Sequence, residues 1–393
     1  MAESYPTSLY DRGFERPHFA DRDPQAITAA VITEMEQLLE RQLFPAQIER
    51  LLANLQAYRE VGVRQAIQWT GEQNLVAFAT GIHLDYLGEL VGCYRLGAAP
   101  AMTRLRFTLS RVPDWAVVVP EGTTATRGRG AGQIHWRTVR SARINGAMEG
   151  GSLLLDEDGL PYVEVEAQAS THGVIGNGFQ PGEINALVTD PFPWFKSVEN
   201  VVISRQGAAT ESDDRYRHRI MLAPEQLAGG SEGAYQYAIL SLSPYITDVA
   251  VVQDSPGHIT VLPLTHGGLP TPELLAQASK ALRPDRRRPL TDWVSVAAPV
   301  EVPLHLHVTV TPYTGRNGIE LEQRLRAELD VWMKQRNPVL GVDFVPSQVC
   351  GAIAGIAGVY RVEVTAPAYR VIAPNEWAHY TGLTLTMAEP QSG

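Results

Sequence analysis

The hydrophobic pattern of the chain changes its period at Pro100, and that change constrains the fold more than any motif. Before it, apolar residues recur every three or four positions; after it, they alternate with polar ones. A 3.6-residue period gives a helix one buried face, and a 2-residue period does the same for a strand. The first hundred residues are therefore helical and the next hundred are β-rich. In the helical part, Asp23 followed by Pro24 is a capping side chain before a proline at the first helical position. Ile27, Val31, Met35 and Leu38 then follow at helical spacing. A second helical run, PAQIERLLANLQAYREVGVRQAIQWTG, is predicted to break at Gly62, and NLVAFATGIHLDYLGELVGCYRL makes a third. The apolar stripes are broad, as in helices that bury against one another or against a partner chain.

After Pro100, MTRLRFTLSR, WAVVVPEGTTATRG, IHWRTVRSARI and YVEVEAQAS read as strands and turns. HGVIGNGFQPGEINAL reads as a bend built on positive-φ glycines. From Ala223 the pattern becomes mixed. SEGAYQYAILSLSP is a helix, ITDVAVVQDSPGHITVLPLT a hairpin, TPELLAQASKALRP a helix and VSVAAPVEVPLHLHVTVTP a strand. The helices IELEQRLRAELDVWMKQ and PSQVCGAIAGIAGV and the strands YRVEVTAP and YTGLTLTM repeat the theme. The chain is thus a multidomain α+β protein: an extended arm at 1–23, a helical bundle region at 24–99, a β-rich domain at 100–222, and two small α+β sandwiches at 223–300 and 301–393, each a sheet with helices on one face. Pro100, residues 189–196 and Pro224–Gly230 are the expected linkers.

Composition narrows the function. With 44% hydrophobic and 19% charged residues among 393, the chain is globular. A net charge of -10 argues against nucleic acid or anionic lipid as the main partner. The one tight basic run, RPDRRRP at 283–289, reads as a solvated turn or a contact for an acidic partner. Cys93 and Cys350 are too far apart to suggest a ligand pair, and suit a reducing compartment. No signal pattern opens the chain, and no apolar run is long enough to cross a membrane.

GAATESDDRYRHRIM (207–221) looks chemical at first sight. Thr210 and Asp213 have capping-box spacing, and Glu211–Arg215, Asp213–Arg217 and Asp214–His218 are acid-first i,i+4 pairs, with Tyr216 and Ile220 on a packing face. His305 and His307 point the same way from one strand and could chelate zinc, but no third ligand is evident, so half-buried strand histidines are the preferred reading. Small residues in GAIAGIAGV suggest close helix packing. No phosphate-binding loop, nucleophile elbow or HExxH motif is present, so no catalytic, cofactor-binding or metal residue is assigned.

The order of the motifs carries more than any one of them. GIHLDYLGELVGCYRLGAA, VVVPEGTTA, VEAQASTHGVIGNG, VEN (198–200), QGAATESDDRYRHRI, GGSEGAYQYAI and DVAVVQDSPGHITV occur in that order. Together they resemble the baseplate J-like protein family, the wedge proteins of contractile phage tails and related injection machines. The likeness runs in register over residues 75–265, with Ala209 where the family usually has an acid and Tyr237 where it usually has tryptophan. It implies a non-enzymatic structural wedge component without a cofactor, located in the virion baseplate and assembled in the bacterial cytoplasm. It further implies pairing with a second copy of itself and one smaller tail protein I-like chain through N-terminal helices. Beyond these, the implied partners are hub or spike and sheath-initiating proteins, in a six-fold assembly that rearranges on contraction. A tail-associated metal-dependent hydrolase using His305 and His307 is the alternative, and a bacteriocin-like or secretion-type injector is another setting for the same fold.

Overall fold

The computed structural model describes residues 15–128, 134–147, 153–227, 229–282, 292–315 and 318–392, so the run 283–289 and the first 14 residues of the arm lie outside the described residues. The chain divides into two compact units: Met1–Arg95 with Ser212–Pro224, and Leu96–Glu211 with Glu225–Gly393.

The first unit is helical: α1 (Pro24–Leu39), α2 (Ile48–Gln73), α3 (Gly81–Glu89) and α4 (Asp213–Leu222). The Asp23 side chain accepts from the Gln25 amide at 3.0 Å and caps α1, as its position before Pro24 predicts. The expected break at Gly62 is absent, and α2 runs through it for 26 residues. A glycine inside a helix costs about 1 kcal/mol, too little to interrupt so long a run of helix formers. The third run is helical only over α3, because Gly92 adopts φ +68° and the Cys93 amide turns back to the Gly88 carbonyl at 2.9 Å. The described part of the arm lies along α2. The Phe19 amide donates to Gln68 Oε1 at 2.8 Å, Gln68 Nε2 donates to the Pro17 carbonyl at 2.6 Å, and Arg16 pairs with Glu72 at 2.8 Å. Gly71 makes room for the Phe19 ring, which a Cβ there would approach to 2.5 Å.

The second unit begins with a nearly closed antiparallel sheet. Its strands are β1 (Pro100–Leu109), β3 (Thr124–Thr126), β4 (Trp136–Thr138), β6 (Tyr162–His172), β7 (Ala186–Leu187) and β8 (Phe195–Asn200), in the order β7-β3-β4-β6-β1-β8. A separate ribbon pairs β2 (Val117–Val119) with β5 (Ala142–Ile144). Leu105, Phe107, Trp136, Val165 and Ile184 fill the interior. Outward-facing Arg106 pairs with Glu164 on β6 at 2.8 Å. The segment 189–196 is not a free linker: Phe192 packs edge-on against Phe107 and Phe195, at 6.0 and 5.3 Å, and closes the core. Pro100 also lies within the pairing, since Ala99 and Ala208 exchange backbone bonds at 2.9 and 3.1 Å.

Two three-stranded sheets follow. In the first, α5 (Glu232–Leu240), β9 (Ile246–Ser255), β10 (His258–Thr265), α6 (Pro272–Ala281) and β11 (Trp293–Val296) give the order β11-β10-β9. The β9–β10 hairpin turns at Gly257, φ +78°. In the second, β12 (Val300–Pro312), α7 (Gly318–Arg336), α8 (Pro346–Ala354), β13 (Val359–Ala366) and β14 (Glu376–Met387) give β13-β12-β14. The run read as one strand, VSVAAPVEVPLHLHVTVTP, is therefore two strands in two sheets. The repeat is also inexact: β9 and β10 pair directly, whereas β12 lies between β13 and β14. Leu321, Leu325 and Leu329 of α7 and Val349 and Ile353 of α8 cover one face of β12, each contributing about 1.5–3 kcal/mol by burial. The Gly351 and Gly355 pair of α8 does not mediate close packing, because a Cβ at either position would meet open space. Leu264, Leu340 and Trp377 join the two sandwiches, and Gly268, at φ +98°, gives the Trp377 ring space that a Cβ would fill.

Candidate functional site

The family-like motifs resolve into two packed clusters, one in each unit. In the helical unit, the cap of α4 is Ser212, whose hydroxyl accepts from the Arg215 amide; Thr210 lies outside the helix, so the expected capping box does not form. Asp213 pairs differently from its i,i+4 expectation with Arg217. Asp213 reaches across to Arg95 at 2.7 Å and accepts from the Gly81 amide at 3.0 Å. Burial opposes its ionisation, but these two donors outweigh it and hold its carboxyl below the ordinary range. Asp214 meets Arg217 at 2.6 Å, and Arg217 also donates to the carbonyls of Val76 and Ala79. Tyr216 and Ile220 are buried, as their spacing predicts.

The centre of this cluster is Tyr216, 1% exposed. Its hydroxyl donates to the Cys93 carbonyl at 2.7 Å, and the Arg95 guanidinium lies 4.7 Å from its ring centroid. Gly88 permits this approach, since a Cβ there would fall 2.0 Å from the hydroxyl. Arg219, only 2% exposed, donates to the Tyr94 carbonyl at 2.6 Å. Burial, with the electrostatic influence of Cys93 and Asp85 behind it, pushes the Tyr216 phenol up to about 12. The hydroxyl therefore remains a donor at any ordinary pH. Sequence reasoning missed the burial of Arg219; the available signal was its place three residues after Tyr216, on the same helix face.

In the β-rich unit, Asn177 and Asn200 play comparable parts. Asn177 Oδ1 accepts from the Gly207 amide at 2.8 Å while its Nδ2 donates to the Gly207 carbonyl at 2.8 Å, so the side chain imitates a strand neighbour. Gly207 has no room for a Cβ, which would sit 2.4 Å from the Gly173 carbonyl oxygen. Asn200, 1% exposed, accepts from the Ile184 amide and donates to the carbonyls of Gln180 and Val202. It ties β8 to the segment leading into β7, the place where the sheet would close. In VVVPEGTTA, the Pro120 carbonyl accepts from the hydroxyls of Thr123 and Thr138 at 2.7 and 2.9 Å around Gly122, φ +81°. These motif residues satisfy backbone groups and fill space.

Four models of one family match along the chain in order: the Baseplate J-like N-terminal domain over 50–102, the barrel domain over 104–207, the central domain over 228–298 and the C-terminal domain over 304–386. The chain belongs to the baseplate J-like protein family. Membership makes it a baseplate component. Baseplate protein J of Escherichia phage P2 is 31% identical over 176 residues, a match spanning 44% of this chain and 58% of that relative. A cryo-EM structure of the anti-feeding prophage baseplate, six-fold symmetrised, contains a chain that is 13% identical, with a TM-score of 0.37 over 93% of this chain and 90% of that one.

The remaining candidates in this J-like chain are surfaces. His305 and His307 are exposed on the outer face of β12, with ring centroids 4.9 Å apart, and His305 Nε2 lies 2.9 Å from Thr384 Oγ1. They are not half-buried. Among the described residues, no group of three or more His, Cys, Asp or Glu is arranged to hold a metal. No described helix is long and apolar enough to cross a membrane. α1 and α2 carry a run of exposed large apolar side chains. Leu38, Leu51, Leu52, Leu55 and Tyr58 are all more than half exposed, Leu38 at 81% and Tyr58 at 78%. Contiguous exposed apolar side chains of this kind mark an interaction surface.

Proposed function

We propose that this chain is a structural wedge protein of a contractile baseplate, joining hub or spike to sheath and rearranging when contraction is triggered. The observation that carries this reading is the exposed apolar face of α1 and α2 in a chain that matches all four baseplate J-like domains in order. That face is wider than the contact between the two helices uses, and a partner helix would bury it. The proposed partners are a second copy of this chain and one smaller tail protein I-like chain, packed through their N-terminal helices. These trimers would repeat six-fold around the spike and contact the sheath-initiating proteins. The protein acts by assembly rather than catalysis, in a phage tail or in a bacteriocin-like or secretion-type injector. The arm at 1–23, the helical region at 24–99 completed by α4, the β-rich region from 100 to 211 and the sandwiches at 223–300 and 301–393 are the proposed domains, and Pro224–Gly230 is the proposed hinge between rigid bodies.

Co-expression with the neighbouring tail genes tests the reading. The expected result is a heteromeric complex with an interface well above about 2,000 Å². A chain that stays a compact monomer and binds none of those products would overturn it.

A further inference from the structure

β13 forms one edge of its sheet: it pairs with β12 on one side, and among the described residues no strand pairs with the other. An open edge presents unpaired amides and carbonyls, and proteins usually blunt it with Pro, Lys or a bulge. Bulges at Tyr360 and Thr365 flank the strand, but its middle has none of these, and its register against β12 is regular from Arg361 to Val364. Arg361 and Glu363 are exposed and bonded to each other at 2.9 Å. Val362 and Val364 pack on the core beneath α7 and α8, with Tyr360 42% exposed.

This pattern is its own complement. In an antiparallel pair of β13 strands related by a two-fold axis through Val362, Arg361 stands opposite Glu363 of the second copy, and Glu363 opposite its Arg361. The four charges then alternate around a square, and Val362 meets Val362 of the second copy on the apolar face. Other registers lose this. An axis through Arg361 or Glu363 sets like charges face to face, and a one-residue slip turns one strand's charges against the other's apolar face.

We propose that the open edge of β13 is a contact between two copies of this chain, formed by antiparallel strand addition about a two-fold axis through Val362. The proposal rests on the assembly reading above and names a second self-contact, distinct from the helical face. A single eight-residue edge falls short of the roughly 1,200 Å² of a free-standing complex, so the contact adds to others within an assembly.

Cysteine trapping in the full chain tests it, in a Cys350→Ser background. Directly opposed Cα atoms in an antiparallel pair lie about 4.5–5.5 Å apart, within disulfide reach. Val362→Cys is therefore expected to give a covalent dimer on mild oxidation. Thr365→Cys, on the order of 20 Å from its own copy, is expected to give none. Carried on Val362→Cys, Arg361→Glu and Glu363→Arg should each lower the yield about tenfold, and mixing the two should restore it, which also shows that both variants fold. Equal trapping at 362 and 365, charge reversals without effect, or no restoration on mixing would each overturn the proposal. Loss of trapping with co-assembly intact rejects the edge and leaves the wedge reading standing.

Discussion

Tyr216 illustrates how a motif residue can be indispensable without touching a ligand. Its ring, hydroxyl and position are each used: the ring by Arg95, the hydroxyl by the Cys93 carbonyl, the position by Gly88. Tyr216→Phe should remove the hydroxyl's bond to that carbonyl at a cost of about 0.5–1.5 kcal/mol, read as faster amide exchange across residues 88–95. The same residue sets an alkaline limit. Its phenol titrates near 12 in the folded chain against 10.0 ordinarily. As pH rises through that window, the unfolded chain releases a proton that the folded chain keeps, so stability is complete below 10 and falls above it. Tyr216→Phe should lack this component of the fall when unfolding is followed between pH 9 and 12. The 207–221 run advertised this residue and Ile220 through their spacing. The partners Cys93 and Gly88 were not legible, because nothing local in sequence says which distant carbonyl a buried hydroxyl will meet.

At the level of elements, α2 separates what stabilises the chain from what the chain offers to others. Gly62 lies in helical backbone, and a Cβ added there would meet nothing within 4 Å. Gly62→Ala should therefore stabilise the helix by roughly 0.5–1 kcal/mol, visible as a higher thermal midpoint; destabilisation would mean that the helix bends there in use. Leu51→Glu with Leu55→Glu should behave oppositely. Both side chains are more than half exposed, so the isolated chain should unfold within about 0.5 kcal/mol of the parent, while co-purification with tail proteins is lost. The sequence announced the broad stripe. It could not announce how much of that stripe α1 leaves uncovered, which depends on where two helices cross.

Over the whole β-rich and sandwich unit, the joint between the two sandwiches turns on Asp248. This partly buried carboxyl accepts from the Leu340 amide at 2.8 Å and from its neighbour Val249 at 2.8 Å. Burial pushes it above the ordinary carboxylate range, and the two amides only partly offset that. The folded state therefore holds a proton over a window in which the unfolded chain has lost it. The sign follows: the joint is firmest at low pH and loosens as pH rises from the ordinary carboxylate value through the raised one. Exchange at the Leu340 amide, corrected for its intrinsic rate, should speed up over that window. Asp248→Ala should remove the pH dependence and weaken protection at the acid end by about 1–3 kcal/mol, because both amides lose their acceptor.

Local patterns in the sequence already specify the helical start, the β-rich middle, the mixed α+β end and the family order of the motifs, since periodicity and turn chemistry are properties of short stretches of chain. The remaining features belong to the folded chain. Folding joined α4 to the N-terminal helices, drew Phe192 and Phe195 of an expected linker into a core, separated β13 from β14 by β12, and left His305 and His307 exposed. Each of these is a choice of neighbour between segments far apart in sequence, made by burial and backbone satisfaction across the fold, and no local pattern records it.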